Sequence, residues 1–344
     1  MNAGPASNQT TGAPSPAKVF DMLLAFQQTA ALRTAIELDL FRHVGEPQDV
    51  KSLAARCGAT ERGMRILCDF LTINGVLEKD GNVYRHSPMS SLFLDPRSPA
   101  SLAPISRFLG DPMVTSPFDH LADIVRTGRT SLPGQGTVEA ENPVWVEFAH
   151  SMAPMMAPMA GPLGKIVLEG TSGDLLVLDI AAGHGLFGIE VAKQAPRARV
   201  VAQDWREVLK VAKSNAEKAG VGDRYETLAG SAFEVNYSGP YDIVLLTNFL
   251  HHFDFATCVA LLRRVRVALK PGGKAAALEF VPNEDRVSPP MAAAFALTML
   301  AHTLAGDAYT FRELEAMYHQ AGFAHVTAHP VPTGPHTVVT ARAV

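Results

Sequence analysis

The most constraining stretch of the chain is Leu175-Leu-Val-Leu-Asp179-Ile-Ala-Ala-Gly183-His-Gly185-Leu-Phe-Gly188. Four consecutive apolar residues, Leu175 to Leu178, read as a strand covered on both faces, because a strand with one face in water alternates. An aspartate follows, then a loop with three glycines, then Ile189-Glu-Val-Ala-Lys-Gln194, which reads as a helix. Glycines suit a tight strand-to-helix turn where a ligand approaches the backbone. The free N–H groups at a helix start favour an anionic ligand group.

A second strand follows at Arg199-Val-Val-Ala-Gln203, ending at Asp204. A carboxylate at the tip of the neighbouring strand suits a ribose diol. Together the two units predict a doubly wound α/β domain that holds a nucleoside-containing cofactor. Gly183-x-Gly185-x-x-Gly188 also fits a dinucleotide site. Three features point elsewhere: Asp179 stands where a dinucleotide fold usually needs glycine, the motif lies after a long helical region, and Val267-Ala-Leu-Lys-Pro-Gly-Gly273-Lys follows downstream. With that helix end and Pro-Gly-Gly turn, the chain resembles class I S-adenosylmethionine (SAM) methyltransferases. The resemblance implies a Rossmann-like sheet of seven strands with an antiparallel last hairpin. It implies that Asp179, Gly183, Gly185 and Asp204 hold the cofactor.

The 344 residues suffice for two domains, and 47% apolar with 19% charged residues fits a globular chain. The net charge of −4 comes without a block of like charges, so no nucleic-acid or membrane-surface field is expected. No apolar run approaches a membrane span. Residues 1–16 read as a disordered tail rather than a signal peptide. Cys57, Cys68 and Cys258 are odd in number and unclustered, which predicts a reduced, cytoplasmic protein without a zinc site.

Residues 17–96 predict a mainly helical winged-helix domain. Phe20 to Phe41 carries apolar residues at helical spacing, Asp49 and Thr60 stand as helix caps, and Asp80-Gly81 marks a hairpin. Acids and bases nearly balance from Asp49 to Arg85, so dimerisation is the expected role rather than DNA binding. An isolated apolar helix over 20–41 would be too exposed, which predicts a homodimer.

Residues 97–162 predict a linker of loops and helix that contributes to a substrate pocket. Phe118 to Arg126 reads as a helix within it. Trp145, Phe148, Met152 and Met156 are candidate pocket residues, and the methionines at 152, 155, 156 and 159 share one helical face. Pliable, polarisable thioethers suit a flat aromatic substrate, although an ordinary core face has the same spacing. Pro154 and Pro158 predict an interruption or kink. The SAM domain is expected over 163–344.

A fourth apolar strand, Tyr241 to Asn248, is followed by Phe249-Leu-His251-His252-Phe253-Asp254. Here the chain resembles small-molecule O-methyltransferases with an N-terminal dimerisation domain, the caffeate and hydroxyindole type and its bacterial natural-product relatives. The resemblance covers about residues 17 to 344. It implies a catalytic His251, paired with Glu279 at the next strand end. A phenol with an ordinary pKa of about 10 is a poor nucleophile, and a histidine near 6.5 can take its proton. The resemblance also places Trp205, Ser231, Ala232, Phe233 and Asn248 around the cofactor, and Phe295, Met299 and His302 on a helix closing the pocket. Two departures stand out: Gly230-Ser231-Ala232-Phe233 lacks the family's adenine-binding acid, and Ala308 replaces a second glutamate, with Asp307 beside it. A metal held by His251, His252 and Asp254 is not expected, since adjacent side chains diverge. The missing acid leaves carbon or nitrogen acceptors open. Also open is a SAM-binding relative with other chemistry, or a SAM-sensing regulator.

Overall fold

A computed structural model describes residues 15–344. The tail expected over 1–16 lies, through residue 14, outside the described residues. The chain divides into two compact units at Ala103/Pro104.

The first unit runs α1 (Ala17–Glu37), α2 (Leu40–His43), β1 (Gln48–Asp49), α3 (Val50–Arg56), α4 (Glu61–Ile73), β2 (Leu77–Asp80), β3 (Val83–His86) and α5 (Pro88–Phe93). Both caps form as expected. Asp49 accepts the Ser52 N–H at 2.7 Å and Thr60 accepts the Gly63 N–H at 3.1 Å, satisfying donors that a helix start leaves free. The chain breaks between α1 and α2 at Asp39, whose φ is +52°. Leu40, Leu53, Met64, Leu71, Leu77 and Tyr84 are buried together, and Tyr84 donates its hydroxyl proton to Asp69 at 2.6 Å. Along the first turns of α1, Phe20, Met22, Leu23 and Phe26 are each more than half exposed within the chain.

The second unit opens with short helices, α6 (Ile105–Leu109), α7 (Pro112–Thr115) and α8 (Leu121–Thr127), then α9 (Val144–Ser151) and α10 (Ala153–Leu168). Residues 104–162 therefore belong to the same compact unit as the sheet, and they carry more helix than their composition predicts. A single-turn helix is unstable alone and forms here through tertiary packing.

The expected break in the methionine helix falls at Met152, between α9 and α10. Pro154 sits in the first turn of α10, where its missing N–H costs nothing. Pro158 and Pro162 nevertheless lie inside α10. Pro162 cannot donate to the Pro158 carbonyl, and the Thr333 hydroxyl donates to that oxygen instead, at 2.8 Å. The far end of α10 is closed by Lys274, whose ammonium donates to the carbonyls of Ile166, Val167 and Glu169 at 3.1, 2.8 and 3.0 Å.

From there β4 (Leu176–Ile180), α11 (Leu186–Gln194), β5 (Arg199–Asp204), α12 (Arg206–Lys218), β6 (Tyr225–Ala229), β7 (Tyr241–Thr247), α13 (Phe255–Ala268), β8 (Leu269–Phe280), α14 (Pro290–His302), α15 (Phe311–Gln320), β9 (Phe323–Pro330) and β10 (His336–Ala343) complete the chain. The seven strands lie in the order β6-β5-β4-β7-β8-β10-β9. All neighbours are parallel except β10, which is antiparallel to β8 and β9. This is the expected Rossmann-like sheet with its antiparallel last hairpin.

Alternate residues of the central strands feed two cores. Val177, Val200, Ile243 and Leu245 pack with α10, α11 and α12. Leu178, Val244, Leu246 and Ala277 pack with α13 and α15. Burial on both faces explains why these strands read as apolar runs. The strand order reverses between β4 and β7, the switch point where open α/β sheets leave a crevice at their carboxyl ends.

Candidate active site

The loop from β4 to α11 forms one wall of that crevice. Gly185 has φ +76°, and a Cβ there would stand 2.6 Å from the Tyr225 hydroxyl; a Cβ on Gly188 would stand 2.8 Å from Asp179 Oδ2. Only glycine lets the helix start this close to the sheet. Asp179 is fully buried behind the loop and accepts the Gly188 N–H at 3.1 Å. Burial pushes its carboxyl up to about 7. Asp179 and Gly185, expected at the cofactor, do not line the cavity. The Asp179 carboxylate points at the helix start and braces the loop from behind.

Asp204, at the end of β5, does line the cavity. Its Oδ2 accepts the Gly183 N–H at 2.8 Å and its Oδ1 the Trp205 N–H at 2.7 Å. Burial raises its carboxyl to about 6. Gly183, Trp205, Ser231, Ala232 and Phe233 lie in the same wall. The Ser231 hydroxyl oxygen accepts the Phe233 N–H at 3.2 Å. Asn248, directly after β7, adopts φ +54°. Its backbone N–H donates to Leu278 at 2.8 Å, its Nδ2 reaches Met156 Sδ at 3.7 Å, and its buried Oδ1 has no partner.

His251 sits in a single 3-10 turn, Leu250–His252, after β7. Its Nδ1 donates to Glu279 Oε2 at 2.5 Å. The other oxygen of Glu279 accepts the N–H groups of Phe249 and Leu250 at 3.0 and 2.8 Å. Both side chains are nearly sealed from solvent. Phe295 stands edge-on to the His251 ring, with centroids 4.8 Å apart. The ring is thus fixed by a buried carboxylate and an aromatic edge, with Nε2 left for a ligand. Among the described residues no three His, Cys, Asp or Glu side chains are placed to hold a metal ion.

The cavity measures about 680 Å³, within the range of small-molecule sites. Trp145 and Phe148 from α9, Met152 at the break and Met156 from α10 line it, as do Phe295, Met299 and His302 from α14. Met159 does not; it packs in the core, against Gly334. His302 is fixed by Thr298 and Val114 carbonyls at 2.7 and 2.9 Å from its two ring nitrogens.

Sequence reasoning missed several lining residues, among them His184, Gln203 and Phe280. His184 lies parallel to Phe148, and burial lowers its pKa to about 4. Its place between two loop glycines was the available signal. Gln203 bridges loops by donating to the Gly230 carbonyl at 2.5 Å. Phe280, next to Glu279, stacks on Phe295 with centroids 4.0 Å apart. The second-acid position, Ala308, is buried. Asp307 directs its carboxylate to Arg286 at 3.2 Å while its N–H donates to the His251 carbonyl at 3.0 Å.

Comparison with known proteins agrees with this geometry. Residues 118–324 match the O-methyltransferase domain family, and residues 20–96 match the O-methyltransferase dimerisation domain. A crystal structure of a Nostoc punctiforme protein assigned to the O-methyltransferases is 47% identical, covers 96% of this chain and 100% of that one, and superposes with a TM-score of 0.93. The tetracenomycin polyketide synthesis 8-O-methyltransferase of Streptomyces glaucescens is 28% identical over 95% of this chain and 96% of its own length. Acetylserotonin O-methyltransferase of Mus musculus is 30% identical over 86% of this chain and 80% of its own. The chain belongs to the O-methyltransferase family.

Proposed function

We propose that the protein moves a methyl group from SAM to a hydroxyl of a small aromatic acceptor, with His251 as general base. The observation that carries this reading is the buried His251–Glu279 pair at 2.5 Å, opening on the cavity that Gly183 and Asp204 also line.

The residues present suit SAM. Asp204 offers a nearly buried carboxylate held by two backbone N–H groups, as a ribose diol requires. The unpartnered Asn248 Oδ1 offers an acceptor to a cofactor N–H. Trp205, Ala232 and Phe233 offer an apolar wall for a base, with the Ser231 hydroxyl in place of an acid. SAM, when bound, supplies an electrophilic methyl carbon on a sulfonium sulfur.

The chain's own residues do the rest. Glu279 accepts the Nδ1 proton, so the neutral His251 ring must present an unprotonated Nε2. That atom takes the phenolic proton as the oxygen becomes nucleophilic, and the imidazolium that forms is stabilised by the carboxylate. Phe295 and the Met152 to Met156 segment flank the acceptor and exclude water, so reacting atoms are held in line. With Ala308 in place of a second acid, proton transfer rests on this one pair.

The exposed apolar stripe of α1 and the dimerisation-domain match support a homodimer. Three free cysteines suit a reducing compartment, the cytoplasm. Light scattering on the purified protein tests the first point: a dimer is expected, and a monomer at micromolar concentration refutes it.

The function itself is tested with methyl-labelled SAM, a panel of hydroxyaromatics and mass analysis of products. A phenol ether is the expected product. His251→Ala should lower turnover by about 10²–10⁴ while S-adenosylhomocysteine affinity stays nearly unchanged. Methylation at carbon or nitrogen, or full turnover by the variant, would refute the assignment.

A further inference from the structure

We propose that the acceptor is an uncharged hydroxyaromatic, one without a carboxylate, sulfate or phosphate group. The inference rests on the methyl-transfer reading above and narrows its substrate class.

Its basis is the charge of the cavity wall. Among the described residues that line the cavity there is no lysine or arginine. The formal charges present are carboxylates: Glu139, Asp204 and Glu234. No histidine offers a free charged N–H to an anion, and the His251 Nδ1 proton is already held by Glu279. His184 and His252 are buried against rings, and burial lowers both toward the neutral form. His302 faces backbone carbonyls with both ring nitrogens, so neither of its N–H groups is left to pair with a ligand anion. Arg286 faces Asp307 and Glu313, at 3.2 and 2.5 Å. The Gly183 N–H, which could have met an anion, is already taken by Asp204.

The polar groups left for a ligand are neutral. The His252 Nδ1 is buried and has no hydrogen-bond partner. The ring stands 4.4 Å from His251 and edge-on to Trp145 at 5.2 Å. It can serve a hydroxyl or carbonyl beside the methylated oxygen, but it cannot neutralise an anion. A carboxylate brought here would lose its water, find no free charged N–H on the protein wall and face acidic neighbours, which buried charges do not tolerate.

The test uses the full chain saturated with S-adenosylhomocysteine and calorimetric titration with matched ligands. Dihydroxybenzoic and hydroxynaphthoic acids are each compared with their primary amide, close in shape, and their methyl ester. In every set that binds, the neutral members should bind more tightly than the acid by on the order of 100-fold. An acid that binds as well as its amide overturns this inference and leaves the methyl-transfer reading standing. If S-adenosylhomocysteine binds but no member of any set does, the aromatic-acceptor reading falls and this inference with it.

Discussion

Replacing Glu279 by glutamine isolates what the buried carboxylate does. Its oxygens accept three N–H groups: His251 Nδ1 on one side at 2.5 Å, and Phe249 and Leu250 on the other at 3.0 and 2.8 Å. A carboxamide has one acceptor end and one donor end. Keeping the two backbone bonds places the amide oxygen there and turns the NH₂ toward His251. His251 must then accept at Nδ1 and carry its proton on Nε2, where the phenolic proton should go. Wrong-tautomer histidines and lost general bases cost about 10²–10⁴ in turnover, or roughly 3–5 kcal/mol at 1.36 kcal/mol per tenfold. Stability should fall far less. One charge-assisted bond worth about 1.5–3 kcal/mol is lost, but a buried charge is removed with it. Glu279→Gln should therefore fold, bind S-adenosylhomocysteine like the parent, and turn over slowly with KM little changed. Steady-state kinetics, a thermal melt and calorimetry on one preparation decide this. A folded variant with parental turnover would refute the role given to the pair.

Three further outcomes follow from the structure. Asp179 carries a carboxyl raised by burial to about 7. The folded state thus holds a proton that the unfolded state releases near 4, so its contribution is full below about pH 4 and is lost as pH rises through 7. Asp179→Asn should remove a stability loss on the order of 4 kcal/mol across that window, and parallel pH profiles of the two proteins by denaturant titration would refute this. Gly185→Ala must fit a Cβ 2.6 Å from the Tyr225 hydroxyl at φ +76°, so melting should show a loss of about 1–3 kcal/mol; a neutral effect would mean the loop relaxes freely. Thr333→Val leaves the Pro158 carbonyl without the donor that Pro162 cannot supply. It should cost about 1 kcal/mol by denaturant titration, and a stabilised variant would show that the oxygen finds another partner.

Much of the fold is legible because the signals are local. The apolar run at β4, the glycines after it, and the caps at Asp49 and Thr60 each carry their own physical reason. The His251–Glu279 pairing follows from the ends of the neighbouring strands β7 and β8 and from the family resemblance. Other features depend on partners far away in sequence. Asp179 reads as a ligand-facing acid, yet the chain puts Gly188 within reach of it, and the carboxylate turns inward. α10 continues through Pro158 and Pro162 because Thr333, distant in sequence, meets an orphan carbonyl. The helices α6 and α7 are too short to announce themselves, whereas α8 falls within the helix expected over Phe118 to Arg126. His184 and Phe280 take their places only once Phe148 and Phe295 are packed beside them.

The most direct measurement is calorimetric titration of the purified protein with S-adenosylhomocysteine near pH 8, repeated with Asp204→Ala. One molecule bound per chain is expected, with affinity in the variant reduced by about 10-fold or more for the lost charge-assisted bonds to the ribose. Affinity of the parent should also weaken as pH falls through 6, where Asp204 takes up its proton. Absence of binding heat in the parent, or a variant that binds as tightly, would contradict a nucleoside cofactor seated at Asp204.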